Sequence, residues 1–196
     1  PGYFWIFPAG KNLANIGIGL SKKEANKDKR KLKEILSDVI KSKYFKDRFS
    51  DSYPIENPKG WSLPLGRVIR PTCGDGYMML GDAAGLIDPF TGEGIGNAMA
   101  SAKYAIEVAS NAKTINNYSK IVLSEYHNKI WSYLGTELKT SSRLQDLANY
   151  KMLLNLVINK AAKNTAIQEI ISGMLVNETP REKLSNPMFY LKVLFS

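Results

Sequence analysis

Residues 81–96 read GDAAGLIDPFTGEGIG, with Asp82 directly behind the apolar run YMML and glycines at 81, 85, 92, 94 and 96. A carboxylate at the carboxyl end of a strand accepts hydrogen bonds from sugar or polyol hydroxyls, where open α/β sheets receive their ligands. In TGEGIG, glycines at alternate positions precede the helix-like stretch NAMASAKYAIEVAS. That spacing leaves backbone N–H groups unobstructed at the positive end of a helix dipole, which suits an anion or an electron-rich carbonyl. Asp88-Pro89 fixes a bend between the two features, so that both can face one crevice. The competing reading is a tight packing turn, because glycines also cluster where elements pack closely. A phosphate-binding P-loop is excluded, since no lysine followed by Ser or Thr comes after the last glycine. GEGIGN also misses the spacing of GxGxxG.

Few other residues suggest chemistry. Cys73 is the only cysteine and His127 the only histidine, so no intrachain disulfide and no cysteine metal cluster is expected. Cys73 reads as a packing residue and His127 as a helix-surface residue. No catalytic acid, base or nucleophile can be named, and no metal site is expected. Glu93 reads as solvent-facing or as a cap on the following helix. The opening aromatic run YFWIF alternates, placing Tyr3, Trp5 and Phe7 on one face and Phe4 and Ile6 on the other.

The elements that would position these groups follow from periodicity. YFWIF and ANIGIGL read as a β-hairpin, with Pro8 and Gly10 at its turn. Leu32, Ile35, Leu36, Val39 and Ile40 recur at helical spacing within Asn26–Lys43, with lysines and acids opposite. The proline-rich region 53–76 predicts extended segments: one strand at GRVIRP, another at YMML, and a turn at Asp75-Gly76 between them. Beyond Gly94 the pattern is helical almost to the end, with breaks near Asn116-Asn117 and at Pro180. The order predicts a mixed α and β fragment, α+β with one strand-loop-helix unit of α/β type.

Whole-chain properties narrow the function classes. At 196 residues and 44% apolar content the chain is long enough for a core and is not of disordered composition. The net charge of +9 comes mostly from lysines, including the run SKKEANKDKRKLKE, which reads as a solvated helix face. Nucleic-acid binding is not expected, and attraction to anionic membrane surfaces is compatible with the charge. No apolar run approaches the roughly 18 residues needed to cross a bilayer. A cytoplasmic protein, with room for peripheral membrane association, is the expectation. The apolar stretch NPMFYLKVLFS is expected to pack against the domain. The chain opens mid-strand without Met, so a missing N-terminal part is also expected.

GYMMLGDAAGLIDPFTGEGIGNAMASA resembles the second flavin-contacting motif of FAD-dependent oxidoreductases related to p-hydroxybenzoate hydroxylase. Within that superfamily it is most similar to the geranylgeranyl reductase family. YFWIFPAGKNLANIGIG resembles that family's aromatic signature, and YSKIVLSEYHNKIWSYLGTELKTSSRLQDL more loosely its C-terminal helices. The resemblance implies an FAD-dependent oxidoreductase reducing isoprenoid carbon–carbon double bonds. It implies FAD contacts at Gly81, Asp82, Ala83, Gly85, Pro89, Gly92, Gly94, Ile95 and Gly96. Asp82 would take the ribityl side, Ala83–Gly85 the pyrophosphate and the later glycines the isoalloxazine ring. The helix dipole would there favour negative charge on the reduced ring by roughly 0.3–2 kcal/mol. Tyr3, Trp5, Phe7 and Pro8 would line an apolar pocket for the isoprenoid, each buried methylene contributing roughly 0.8 kcal/mol.

The implied organisation has residues 1–70 in a substrate-binding sheet domain, 71–115 as the flavin motif and 116–196 as a helical region. The family's N-terminal dinucleotide fingerprint is absent, so the chain is expected to hold only the second half of the FAD site. A flavin-dependent hydroxylase is the alternative enzyme, although Gly85 stands where many hydroxylases carry histidine. A non-catalytic lipid- or partner-binding module on the same scaffold is the other reading.

Overall fold

A computed structural model describes residues 2–21, 25 and 30–175. Pro180, the stretch NPMFYLKVLFS and most of the lysine run 22–29 lie outside the described residues. The chain divides into two compact units, Pro1–Trp61 and Ser62–Ser196. Its content is mixed, with five α-helices and two small antiparallel sheets among the described residues, an α+β architecture.

In the first unit, β1 (Gly2–Gly10) pairs antiparallel with β2 (Leu13–Leu20). The register sets Tyr3 opposite Gly19, Trp5 opposite Gly17 and Phe7 opposite Asn15. The turn sits at Lys11-Asn12 rather than at Pro8 and Gly10. Pro8 pairs with Ala14 inside the strand, and the register slips between Pro8 and Gly10. Asn12 takes the left-handed conformation at φ 60°, which Asn tolerates better than other side-chain-bearing residues. Helix α1 (Leu32–Ile40) begins where the backbone N–H of Lys31 donates to Glu34 Oε2 at 3.0 Å. Ile35, Leu36, Val39 and Ile40 are half-buried along one stripe, the helical period seen in the sequence. The Phe4 ring meets Phe45 at 5.0 Å, so the Phe4 face of the hairpin is turned towards its own unit.

In the second unit, α2 (Ile95–Thr114) packs along α3 (Lys120–Leu147). Helix α2 buries Ser101, Ala105, Val108 and Ala112, while α3 buries Leu123, Tyr126, Ile130, Leu134 and Leu138. Small residues on one helix and large ones on the other let ridges sit close in a single core, which Cys73, Ala84 and Leu86 complete. Helices α4 (Lys151–Ala161) and α5 (Thr165–Leu175) follow.

The strand expected at GRVIRP does not form. Leu65 makes a single parallel bridge to Ile87, and Val68 and Ile69 stand exposed. A run of β-branched residues without a partner ladder has nothing to satisfy its backbone. The strand at YMML is short: β4 (Tyr77–Met78) pairs with β3 (Cys73–Gly74) across the Asp75-Gly76 turn, where Gly76 has φ 76°. Asp75 Oδ1 accepts the backbone N–H of Lys120 at 2.6 Å, tying that turn to the start of α3.

Candidate functional site

The chain leaves β4 through Met79 and Leu80 and enters a single 3₁₀ turn, Gly81–Ala84. Met79 is held from two sides, its N–H donating to Thr72 O and its carbonyl accepting from the Tyr126 hydroxyl at 2.7 Å. Gly81 has φ 51°, and a Cβ there would come 2.9 Å from the Cβ of Ala98 on α2. Its N–H donates to Ser101 Oγ at 3.0 Å, while that hydroxyl donates to Ala98 O. Glycine at 81 is therefore both a conformational and a packing requirement.

Gly85 ends the turn in the left-handed conformation, φ 70°, its N–H donating to Asp82 O. Leu86, Ile87 and Asp88 then run through the buried interior. Asp88 anchors the next bend. Its Oδ1 accepts from Phe90 N at 2.9 Å, Thr91 N at 2.8 Å and the Thr91 hydroxyl at 3.0 Å. The bend closes through Gly92 N donating to Asp88 O and Asp88 N donating to Glu93 O.

This network fixes where the amides of the glycine loop go, and of the TGEGIG glycines expected to be open it occupies Gly92. The amides of Gly81, Gly85 and Gly92 are taken up inside the protein. The first turn of α2 carries the amides of Ile95, Gly96 and Asn97, which a helix leaves without intrahelical acceptors. Asn97 holds that first turn in place by donating from Nδ2 to Leu86 O at 2.7 Å. Glu93 Oε1 lies over Gly96, 3.0 Å from where a Cβ would stand, so Glu93 folds towards the helix start.

Asp82 is exposed, and among the described residues its carboxylate has no hydrogen-bonding or ionic partner. A Cβ on Gly94 would come 2.9 Å from Asp82 Oδ1, so the carboxylate stands at the head of α2. Acid and helix start, separate features in the sequence, thus form one surface. Ala83 is exposed beside Asp82, Pro89 is buried, and Ile95 is 78% exposed at the edge of the surface. Amides of a first helical turn, an unpartnered carboxylate and a bare glycine backbone thus lie together, donors and an acceptor of the kind a polyhydroxylated, carbonyl-bearing ligand such as FAD would use.

Three residues of these surroundings go unread in the sequence. Asn97 and Ser101 share one face of α2 at i, i+4, a spacing that could have flagged them. Arg70 could not be flagged. Its guanidinium is laid against Gly85, where a Cβ would run into Nη1 and stand 3.4 Å from Cζ. Nη1 donates to Leu65 O at 3.1 Å.

The hairpin of the first unit holds the other group of candidates. Tyr3, Trp5 and Phe7 form a row, with ring centroids 5.5 and 6.2 Å apart. Trp5 lies across Gly17 and Tyr3 across Gly19, so the rings lie flat over a strand without side chains at those points. Trp5 Nε1 donates to Asn15 Oδ1 at 2.8 Å, which fixes the indole. Tyr3 and Phe7 are about half exposed; Pro8, exposed and paired with Ala14, falls on the opposite face with Phe4 and Ile6 and is not part of the row, because successive side chains of a strand alternate.

Buried polar and ionisable groups near the loop are structural. Burial pushes the Cys73 thiol up, against a smaller opposing effect of Lys120. Thr72 Oγ1 and His127 Nδ1 share a hydrogen bond at 3.0 Å, so the only histidine secures the chain ahead of β3.

Comparison with known proteins agrees with this architecture. Residues 1–60 match the geranylgeranyl reductase catalytic domain. A digeranylgeranylglycerophospholipid reductase from Methanocaldococcus jannaschii is 40% identical over 76% of this chain and 37% of its own length. Another so named, from Methanoculleus marisnigri, is 34% identical over 90% of this chain and 41% of its own. The crystal structure of a geranylgeranyl bacteriochlorophyll reductase-like protein from Thermoplasma acidophilum superposes with a TM-score of 0.65 at 31% identity. That likeness covers 79% of this chain and 38% of the other. The chain belongs to the geranylgeranyl reductase family. It spans about two fifths of the length of these relatives.

Proposed function

We propose that the chain forms part of an FAD-dependent oxidoreductase that saturates carbon–carbon double bonds of an isoprenoid lipid. The observation that carries this reading is the convergence of the unpartnered Asp82 carboxylate and the first turn of α2 over the bare backbone of Gly94. Bound FAD supplies the hydride equivalent for the reduction. Asp82 accepts hydrogen bonds from the ribityl hydroxyls. The amides of Ile95 and Gly96, with the positive end of the α2 dipole behind them, meet the pyrimidine carbonyl of the ring. Ala83 and Gly85 border the pyrophosphate, while Pro89 and the backbone at 92–94 shape the approach to the ring.

Tyr3, Trp5 and Phe7 line the path of the isoprenoid. Their rings present apolar area already held flat by Gly17, Gly19 and Asn15, so little side-chain freedom is lost when a chain binds. The names of the relatives, digeranylgeranylglycerophospholipid reductases, favour a membrane lipid as substrate. A net charge of +9 suits a protein that meets an anionic membrane from the cytoplasm. Among the described residues no helix is long and apolar enough to cross a membrane.

This surface would embrace one side of a dinucleotide. The other side would be held by segments of the longer protein beyond the two fifths of the relatives' length that this chain spans. Two measurements test the reading. Full-length protein is expected to purify with bound flavin, while residues 1–196 alone bind FAD weakly or not at all in a fluorescence titration. Under anaerobic reduction the full-length protein is expected to add two hydrogens per double bond to a geranylgeranyl glycerolipid. Full-length protein that neither holds flavin nor alters the lipid would sink the proposal, and an oxygenated product would replace it with the hydroxylase.

A further inference from the structure

Arginines 67 and 70 sit in the same segment and are treated oppositely by the fold. Arg67 Nη2 reaches both carboxylate oxygens of Asp146, at 2.7 and 3.0 Å, and Nη1 donates to Gln145 Oε1. That cation is neutralised by α3. Arg70 has no carboxylate partner among the described residues, and its one hydrogen bond uses Nη1 on the Leu65 carbonyl. Leu65 is itself held by its bridge to Ile87, and Gly66 N donates to Ile87 O at 2.7 Å. The guanidinium is thus fixed at one corner against the backbone of Gly85, at the end of the turn that begins with Asp82. Only glycine at 85 accommodates both φ 70° and the arginine lying on its Cα.

A guanidinium oriented by the protein, left without an acid and set beside a ligand-facing turn, has the donor geometry that phosphoryl oxygens accept. We propose that Arg70 receives a phosphoryl oxygen of the ligand seated on the glycine loop. Two ligands could bring that group, the pyrophosphate of FAD or the phosphate of a glycerophospholipid substrate. The cofactor source rests on the flavin reading above, whereas the lipid source can be measured without it.

The experiment compares full-length wild type with R70Q and R70K in two sets of equilibrium titrations. One set uses FAD and riboflavin, followed by flavin fluorescence. The other uses a geranylgeranyl glycerolipid with and without its phosphate, followed by tryptophan fluorescence in detergent. Loss of a charge-assisted hydrogen bond predicts roughly tenfold to a hundredfold weaker binding of the phosphorylated ligand by R70Q. The phosphate-free counterpart should bind unchanged. R70K, which keeps the charge and loses the planar fork, should fall between. A selective loss for FAD assigns the phosphate to the cofactor, and a selective loss for the phospholipid assigns it to the substrate. Equal losses with and without phosphate, or no loss in either set, overturn the proposal. Arg70 is exposed, so the variants should keep the wild-type melting temperature, and R70K carries the test if R70Q does not fold. Wild type that holds flavin beside an indifferent R70Q refutes the role of Arg70 and leaves the flavin reading standing. Wild type that binds no flavin defeats the latter, and the lipid titrations still decide Arg70.

Discussion

The carboxylate of Asp82 occupies the space that a side chain on Gly94 would need. A Cβ at 94 would stand 2.9 Å from Asp82 Oδ1 and 3.3 Å from Cγ1 of Ile87. This relationship couples the end of one element to the start of the next and gives the candidate site its shape.

Gly94→Ala should therefore act on the acid more than on the fold. Gly94 has an ordinary negative φ, and a carboxylate tip moves easily, so stability should change by no more than about 1 kcal/mol. Displacing Asp82 should weaken flavin binding by roughly tenfold in the full-length protein. Thermal melting and flavin titration separate the two effects, and an unchanged flavin affinity would deny Asp82 its role.

Asp88 has the opposite character. It is 4% exposed and one of its oxygens accepts three hydrogen bonds from Phe90 and Thr91. Asp88→Ala should cost about 2–3 kcal/mol by leaving those donors unmatched, while Asp88→Asn, which keeps an acceptor oxygen, should cost clearly less. Urea unfolding of residues 1–196 measures both.

The aromatic row depends on the glycines beneath it. Gly17→Val would drive a side chain into the Trp5 indole, with no flexible tip to yield. The indole should leave Asn15 and tilt, shifting Trp5 emission when Trp61 and Trp131 are replaced by Phe. If the row lines the isoprenoid path, lipid affinity should fall with it.

Alkaline pH should destabilise the second unit. Burial raises the Cys73 thiol above its ordinary 9.0 and the Tyr126 hydroxyl above 10.0, the neighbouring Ser101 side chain opposing the latter to a smaller extent. Both groups hold their protons longer folded than unfolded, so the native state binds more protons in this range and stability falls as pH rises. The contribution is complete below about pH 9 and is lost through the raised native values. Urea midpoints between about pH 8 and pH 10.5 should decline, and Cys73→Ala should flatten the lower part of that decline. A thiol reagent should label native Cys73 slowly at neutral pH and rapidly in denaturant.

Sequence alone determined what depends on neighbours along the chain. The hairpin, the stripe of α1, the break at Asn116-Asn117 and the glycine loop between strand and helix all follow from local periodicity and backbone freedom. Asn116 ends α2 with φ 46°, a conformation set by its own residue type and its immediate flank. The strand expected at GRVIRP failed because β structure needs a partner supplied from elsewhere, and the chain offers that segment only the bridge at Leu65. Tertiary structure decided the working surface. It turned the amides of Gly81, Gly85 and Gly92 inward, brought Asp82 to Gly94, and laid Arg70 on Gly85. Such approaches are set by how α2 and α3 close over the turn, and packing between distant segments leaves no period in the sequence to read.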